Sequence, residues 1–266
     1  MASRLAARAE PKLRMIGAVR FYTRCILILL GIIALVPLHY LWRLFRARSP
    51  WPTLFLWWAG RVAGLKVRTE GRPLKRDVLI VANHSSWLDI LLLGGSAGAA
   101  FVAKAELADS PLVGWLARLN ETLFVERSNK RGIGVQAEAL RGGLATGRAF
   151  ALFPEGTTGP GRPILPFRAS LLASLFPPLP RVKVQPVAID FGPLTDEIAW
   201  GDEHGAANAR RLLSRPGRIP VTMTFLAPVD PHEAGDRKRL SERSREEIIA
   251  ALGASEAAPA PLYGGG

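Results

Sequence analysis

Six short apolar runs recur along this chain, and they constrain its fold more than any other feature. The runs occupy residues 78–82, 99–103, 122–125, 149–153, 182–189 and 221–226. Helix-like stretches separate several of them, at residues 88–93, 111–119, 134–144 and 164–175. Continuous apolar strands that alternate with helices predict an α/β fold with a mostly parallel, buried sheet.

An apolar segment lies near the N-terminus, where residues 25–42 contain no Lys, Arg, Asp or Glu. As a helix at about 1.5 Å per residue it would be about 27 Å long, close to the hydrocarbon thickness of a bilayer. A tryptophan-rich stretch at residues 51–65 suits a membrane interface. These patterns favour a membrane-embedded helix followed by an interfacial helix, and a buried core helix is the alternative. A cleaved signal peptide is disfavoured because no small-residue cleavage site follows the apolar run.

The composition changes at Gly71, where a polar connector leads into the first apolar run. The expected organisation is therefore an N-terminal membrane-associating segment over residues 1–70 and one α/β domain over residues 71–254. The remaining residues, 255–266, are rich in Ala, Pro and Gly, and we expect a disordered tail there.

The chain carries a formal net charge of +13, and 28 of its 35 cationic residues are arginine. Such a balance suits acidic lipid surfaces, phosphate-bearing ligands or nucleic acid. Nucleic acid is disfavoured because the sequence has no zinc-finger spacing and no aromatic–basic RNA-binding signature. The single cysteine, Cys25, excludes an internal disulfide.

Residues 83–89 (NHSSWLD) place a histidine and a carboxylate between a strand and a helix. Ligands bind at such strand ends in open α/β sheets. If His84 lies in the turn, Asp89 can accept a hydrogen bond from one imidazole nitrogen, and the other can take a proton from a substrate hydroxyl. The structural alternative is that Ser86 and Asp89 form a helix capping box. A metal site is disfavoured because zinc needs three or four ligands and the other histidines are scattered: His39, His204 and His232.

Two other features concern the later strands. Arg127 follows the run at residues 122–125, and its guanidinium suits a phosphate, although it can also pair with Glu126 on the surface. Pro186 lies inside the run at residues 182–189. Because proline cannot donate a ladder hydrogen bond, it predicts an edge strand or a bulge.

The loop after the run at residues 149–153 reads PEGTTGPG. Its Glu155 carboxylate could hold a substrate hydroxyl, and Gly156 lets the backbone approach a ligand closely. The hydroxyls and amides of Thr157 and Thr158 could hold phosphate oxygens. The alternative is a plain Gly/Pro turn.

These four blocks, in the order Asn-His-x-x-x-x-Asp, Phe-Val-x-Arg, Phe-Pro-Glu-Gly-Thr and Val-x-Pro-Val, resemble the 1-acylglycerol-3-phosphate acyltransferase family over residues 77–189. The resemblance implies a mainly parallel mixed sheet flanked by helices. It also implies transfer of a fatty acyl group from acyl-CoA or acyl carrier protein to the hydroxyl of a lysolipid, with no cofactor and no metal.

The resemblance assigns roles to individual residues. His84 is the general base and Asp89 orients it. Arg127, Glu155 and Gly156 bind the acceptor, with Thr157, Thr158 and Lys104 as further substrate-binding residues. Pro186 belongs to the block that shapes the apolar side of the site.

The sequence departs from the family pattern at two positions, where Glu121 replaces a glycine and Thr158 replaces an arginine. The second departure removes a charged phosphate ligand, for which Arg127, Lys104 or Arg168 could compensate. With such compensation the expected acceptor is 1-acyl-sn-glycerol-3-phosphate, which gives phosphatidic acid in phospholipid biosynthesis.

Two other functions stay open. One is acylation of lyso-ornithine lipid or another lysophospholipid, and the other is an inactive membrane-anchored lipid-binding protein. A lipase of the α/β-hydrolase type is disfavoured because the sequence has no Gly-x-Ser-x-Gly nucleophile elbow. The expected location is the bacterial inner membrane, with the catalytic domain facing the cytoplasm.

Overall fold

The computed structural model describes residues 2–45, 47–125, 132–201 and 203–257. Within these ranges the chain forms one seven-stranded sheet of order β1-β7-β6-β2-β5-β3-β4. Among the strand pairs of the described residues, β6–β7 alone is antiparallel, so the expected mainly parallel mixed sheet is confirmed. The strands are β1 (Leu65–Glu70), β2 (Val78–Ala82), β3 (Ala100–Lys104), β4 (Leu123–Val125), β5 (Phe150–Leu152), β6 (Lys183–Asp190) and β7 (Ile219–Phe225).

Helices cover both faces of the sheet. They are α1 (Ala2–Arg43), α2 (Trp51–Ala63), α3 (Leu88–Ala97), α4 (Pro111–Leu119), α5 (Gly132–Ala145), α6 (Thr195–Ile198), α7 (Gly205–Ser214), α8 (Pro231–Ala234) and α9 (Arg237–Ala257). Apolar side chains of α2, α3 and α7 pack in one core cluster, and those of α5 and α9 pack in clusters on the opposite face. The helix predicted at residues 164–175 is wrong in extent, because only Ala169–Leu175 is helical and it is a 3-10 helix.

Strand β1 was not predicted from the sequence. In the part of the chain that the structure describes, β1 is an edge strand whose one partner is β7, and most of its residues are exposed. Its sequence, LKVRTE, therefore lacks the apolar run that marks the buried strands. The preceding helix ends at Ala63, and the sheet begins at Leu65, before the domain boundary expected at residue 71.

Pro186 was expected to mark an edge strand or a bulge, and the structure shows the second alternative, a bulge in the pairing of a central strand. Strand β6 pairs with β2 on one side and β7 on the other. Val187 pairs with Phe225 and Val184 pairs with Val229, so two residues of β6 (185 and 186) lie opposite three residues of the segment after β7 (226–228). Such an offset is a β-bulge, and it accommodates the missing N–H of the proline.

Helix α1 presents an exposed apolar face. Its segment Arg14–Arg43 is long and apolar enough to cross a membrane, and only 11% of its most apolar window is buried. The exposed residues recur every three or four positions, so they form a stripe along the helix: Met15, Val19, Tyr22, Ile26, Leu29 and Ile33. A mostly exposed helix does not match the buried-core alternative. At the other end of the chain α9 continues to Ala257, so the tail expected to be disordered begins within a helix, and its residues 258–266 lie outside the described ranges.

Candidate active site

The turn between β2 and α3 brings His84 and Asp89 together. Oδ2 of Asp89 lies 2.9 Å from His84 Nδ1 and accepts hydrogen bonds from the backbone N–H groups of Ser85 and Ser86, also at 2.9 Å. Because this oxygen is the acceptor for two backbone donors, Nδ1 acts as the third donor, and Nε2 of the neutral ring is left as a proton acceptor. Asp89 is fully buried, whereas the His84 side chain is 15% exposed.

The same contacts satisfy part of the capping-box alternative. Asp89 binds the N–H of Ser86, and Ser86 Oγ accepts from Leu88 N at 3.4 Å. In a complete capping box Ser86 Oγ would accept from the N–H of Asp89, so the structure contains only the half made by the Asp89 carboxylate. Capping and orientation of the imidazole are therefore performed by one carboxylate, and the two interpretations are compatible.

His84 is fixed from several directions. Its backbone N–H donates to Glu155 Oε1 at 2.7 Å, and its carbonyl accepts from Gly159 N at 2.8 Å. Its ring stacks on Phe153, with centroids 3.9 Å apart and planes inclined by 14°. Asn83, the preceding residue, exchanges two hydrogen bonds with the backbone of Ile189 at 2.8 and 2.9 Å. The His84 position is therefore held by β6 and by the segment that follows β5 as well as by its own turn.

Glu155 faces inward, toward the protein backbone. Its other oxygen, Oε2, accepts from Leu165 N at 3.0 Å, and the residue is 4% exposed. Burial raises the pKa of the Glu155 carboxyl, although the two backbone hydrogen bonds and the nearby His84 oppose the increase. The structure thus gives Glu155 a direct contact with the His84 backbone, and its expected role as an acceptor ligand stays a prediction.

The loop after β5 brings a cation to its glycine. Gly156 is buried with φ +78°, and an added Cβ would lie 3.1 Å from Nε of Arg168. The backbone N–H of Arg168 donates to Pro154 O at 2.8 Å, while the residue is exposed. Thr157 is exposed and Thr158 half-buried in the same loop. Arg168 therefore lies beside residues 154–161, the loop that is predicted to bind the acceptor and is called the headgroup loop below.

Three predicted site residues remain, Lys104, Arg127 and Pro186. Lys104 is exposed at the end of β3, the same edge of the sheet as His84. Arg127 lies outside the described residues. Pro186 lies on the same face of β6 as Val184, which packs in the core cluster on one side of the sheet. Phe153, the ring that stacks on His84, packs in the core cluster on the other side. The structure therefore does not bring Pro186 next to the imidazole.

The backbone explains the departure at Glu121. This residue has φ +57°, a left-handed conformation that glycine adopts without strain. Its carboxylate pairs with Arg148 Nη1 at 2.9 Å. Arg148 precedes β5, at the edge of the sheet opposite to His84. The family pattern has glycine at position 121 because the backbone there is left-handed, and this position lies away from the candidate site.

Sequence reasoning missed two contributors. Phe153 belongs to the Phe-Pro-Glu-Gly-Thr block, and that position was the available signal, but only the fold shows its ring stacked on His84. Asn83 precedes the histidine, but its partner Ile189 is 106 residues away. In the part of the chain that the structure describes, no group of three or more His, Cys, Asp or Glu residues could hold a metal ion. The metal-free expectation stays a prediction.

Comparison with known proteins gives consistent results. The acyltransferase family profile matches residues 64–190. A lyso-ornithine lipid O-acyltransferase of Brucella abortus (strain 2308) is 32% identical over 265 residues, which cover 90% of this chain and 95% of that protein. A 1-acyl-sn-glycerol-3-phosphate acyltransferase of Neisseria gonorrhoeae is 30% identical over 211 residues, which cover 73% and 78%.

A solved structure agrees with these relatives. The crystal structure of the 1-acyl-sn-glycerophosphate (LPA) acyltransferase PlsC from Thermotoga maritima has a TM-score of 0.68 and 25% sequence identity, and the match covers 94% of this chain and 99% of that one. The matched family profile includes most of the sheet and the whole His84–Asp89 turn. With relatives at 30% identity or more that it covers over most of their length, this chain belongs to the acyltransferase family and is an O-acyltransferase.

Proposed function

We propose that this enzyme transfers a fatty acyl group from a thioester donor to the free hydroxyl of a lysolipid, with His84 as general base. The observation that carries the proposal is the 2.9 Å contact between His84 Nδ1 and the buried Asp89 carboxylate at the carboxyl end of β2. This contact fixes the ring tautomer and directs Nε2 to a substrate proton. An alcohol is a weak nucleophile at neutral pH, so a positioned base contributes typically about 10²–10⁴ in rate.

The proposed reaction needs no group beyond the two substrates. His84 Nε2 removes the hydroxyl proton as the oxygen attacks the thioester carbonyl. The carbon–oxygen bond forms, the carbon–sulfur bond breaks, and the same proton passes to the leaving sulfur. The carbonyl oxygen gains negative charge in between and is stabilised by hydrogen-bond donors. The donor is an acyl-CoA or acyl carrier protein thioester, and both are acidic partners that suit a chain of net charge +13.

The headgroup loop favours lyso-ornithine lipid as the acceptor. Thr158 offers one neutral hydroxyl where the family pattern has a guanidinium, which would clamp a phosphate dianion with two charge-assisted bonds. Arg168 lies beside Gly156, and its guanidinium suits the carboxylate of an ornithine headgroup. Four lyso-ornithine lipid O-acyltransferases, 31–36% identical, support this choice.

The second candidate acceptor is 1-acyl-sn-glycerol-3-phosphate, as expected from the sequence. The position of Arg168 against Gly156 favours it as well, because this guanidinium can replace the arginine missing at position 158. Lys104, at the same edge of the sheet, offers a further exposed cation. The Neisseria and Thermotoga proteins support this candidate.

We also propose that the exposed stripe of α1 inserts into the bilayer at the cytoplasmic face of the inner membrane. A lysolipid and its product both reside in the bilayer, and acyl thioesters are soluble on the cytoplasmic side. Basic residues that flank an apolar helix attract anionic lipid headgroups. The intact protein should fractionate with membranes and need detergent for extraction, and full solubility in low salt would contradict this placement.

The experiment uses purified full-length protein in detergent with labelled acyl-CoA or acyl carrier protein. Lyso-ornithine lipid, 1-acyl-sn-glycerol-3-phosphate and other lysophospholipids serve as acceptors for wild type, His84→Ala and Thr158→Arg. We expect wild type to prefer lyso-ornithine lipid and Thr158→Arg to shift preference toward the phosphate acceptor. If wild type is selective for the phosphate acceptor and Arg168→Ala abolishes that selectivity, the second candidate is established. No transfer to any lysolipid, or full turnover by His84→Ala, would overturn the proposed function.

A further inference from the structure

Residues 191–218 lie beyond the family match, which ends at residue 190. The described part of this segment makes two hydrogen bonds to residues 83–89, the turn that carries His84 and Asp89 and is called the catalytic turn below. The backbone N–H of Trp200 donates to Ser85 O at 2.7 Å. The indole Nε1 of Trp87 donates to Asn208 Oδ1, on α7, at 2.9 Å. Ser85 and Trp87 both lie between His84 and Asp89, so this segment holds the turn from outside.

Asn208 is a fixed partner for Trp87. It is fully buried, and its Nδ2 donates to Glu203 Oε1 at 2.7 Å. Glu203 in turn accepts from Arg211 Nε at 3.1 Å. A buried amide with both ends bonded has one orientation, so its oxygen is directed at the indole N–H.

The helix that carries Asn208 is itself anchored to α1. Arg20 Nη1 donates to Ser214 O at 2.8 Å, and Arg24 Nη1 donates to carbonyls of residues 212, 213 and 215 at 3.2–3.3 Å. Cations at a helix C-terminus satisfy its last carbonyls and stabilise the helix dipole. Helix α7 is therefore fixed between the N-terminal helix and the catalytic turn.

We propose that Asn208 is a positioning residue for the His84–Asp89 pair. By holding Trp87, it keeps the N–H groups of Ser85 and Ser86 directed at Asp89 Oδ2. Catalytic groups need placement within about 0.5 Å, and an error of about 1 Å can cost about 10²-fold in rate. The inference rests on the proposed function, because acyl transfer is one of its readouts.

The test compares Asn208→Ala, Trp87→Phe and the double variant, each in the full-length enzyme. Trp87→Phe keeps an aromatic ring and removes only the indole N–H, so it serves even if Asn208→Ala folds poorly. The matched control is Asn120→Ala, another buried amide, whose Nδ2 donates to Ala99 O at the opposite edge of the sheet. We expect Asn208→Ala to lower kcat roughly 10-fold with KM changed less than about twofold, and Asn120→Ala to keep kcat within about twofold.

Two further readouts separate positioning from general destabilisation. The double variant should be no slower than the slower single variant, because both changes remove the same hydrogen bond. Hydrogen exchange at the amides of Ser85 and Ser86 should become faster in Asn208→Ala and stay unchanged in Asn120→Ala. Unchanged kcat and exchange in Asn208→Ala, or fully multiplicative effects in the double variant, would overturn the inference. A wild-type enzyme that acylates no lysolipid would refute the proposed function alone, since the exchange measurement still tests the role of Asn208.

Discussion

Replacement of Glu155 by glutamine distinguishes a positioning role from substrate binding. The carboxylate accepts from two backbone donors, His84 N at 2.7 Å and Leu165 N at 3.0 Å. An amide has one acceptor oxygen, so in Glu155→Gln one N–H faces the amide nitrogen, donor against donor. Leaving a buried donor unpaired costs about 1–3 kcal/mol. Part of this cost is offset, because the neutral amide avoids the burial penalty that raises the pKa of Glu155.

We therefore expect the free energy of unfolding to fall by at most about 3 kcal/mol, and kcat to fall roughly 10- to 10²-fold because the His84 backbone shifts. KM for the lysolipid should stay within about twofold of wild type, because the carboxylate faces the protein backbone. The assay follows thiol release from the acyl thioester at varied lysolipid concentration in mixed micelles. Glu242→Gln, which changes an exposed carboxylate on α9, is the control. A roughly tenfold rise in KM with unchanged kcat would refute the positioning role and assign Glu155 to acceptor binding.

Three further predictions concern Asp89, Gly161 and the titration of Glu155. Asp89→Asn should lower kcat by about 10²-fold or more with little change in KM. The three donors on Asp89 Oδ2, which include His84 Nδ1, would meet a neutral amide oxygen that accepts less strongly than a carboxylate and orients the imidazole less well. Steady-state kinetics check this prediction. Gly161→Ala should lower the free energy of unfolding by about 1–3 kcal/mol, because φ is +83° and the new Cβ would lie 2.4 Å from Thr195 Cγ2. Gly142 lies on a helix in open space, so Gly142→Ala is the control and should raise the free energy of unfolding by up to about 1 kcal/mol. Denaturant titrations measure both. The pKa of Glu155 in the folded protein is raised above its ordinary value of 4.5, so between these two values the folded state binds more protons than the unfolded state. Wild type should therefore lose stability relative to Glu155→Gln as the pH rises from 4.5 through the raised pKa. Unfolding curves of both proteins across pH measure the difference, and the opposite slope would contradict it.

The sequence by itself determined the elements whose signal is local. Strands buried on both faces, such as β2 and β5, must be continuously apolar, so their positions could be read from composition. The contact between His84 and Asp89 was predictable because the two residues are five positions apart and a strand–turn–helix brings them together. The exposed face of α1 likewise matches its apolar composition.

Only the tertiary structure decided which distant groups complete the site. Glu155 bonds to the backbone of a residue 71 positions away, and Asn208 bonds to an indole 121 positions away. Such pairs depend on strand order and helix packing, which a local pattern does not encode. Strand β1 was missed because an edge strand with exposed side chains has no apolar run. The placement of Pro186 in a central strand depends on a bulge between β6 and the segment after β7. The chemistry of individual residues was therefore local information, whereas their contacts were fixed by the packing of segments far apart in the chain.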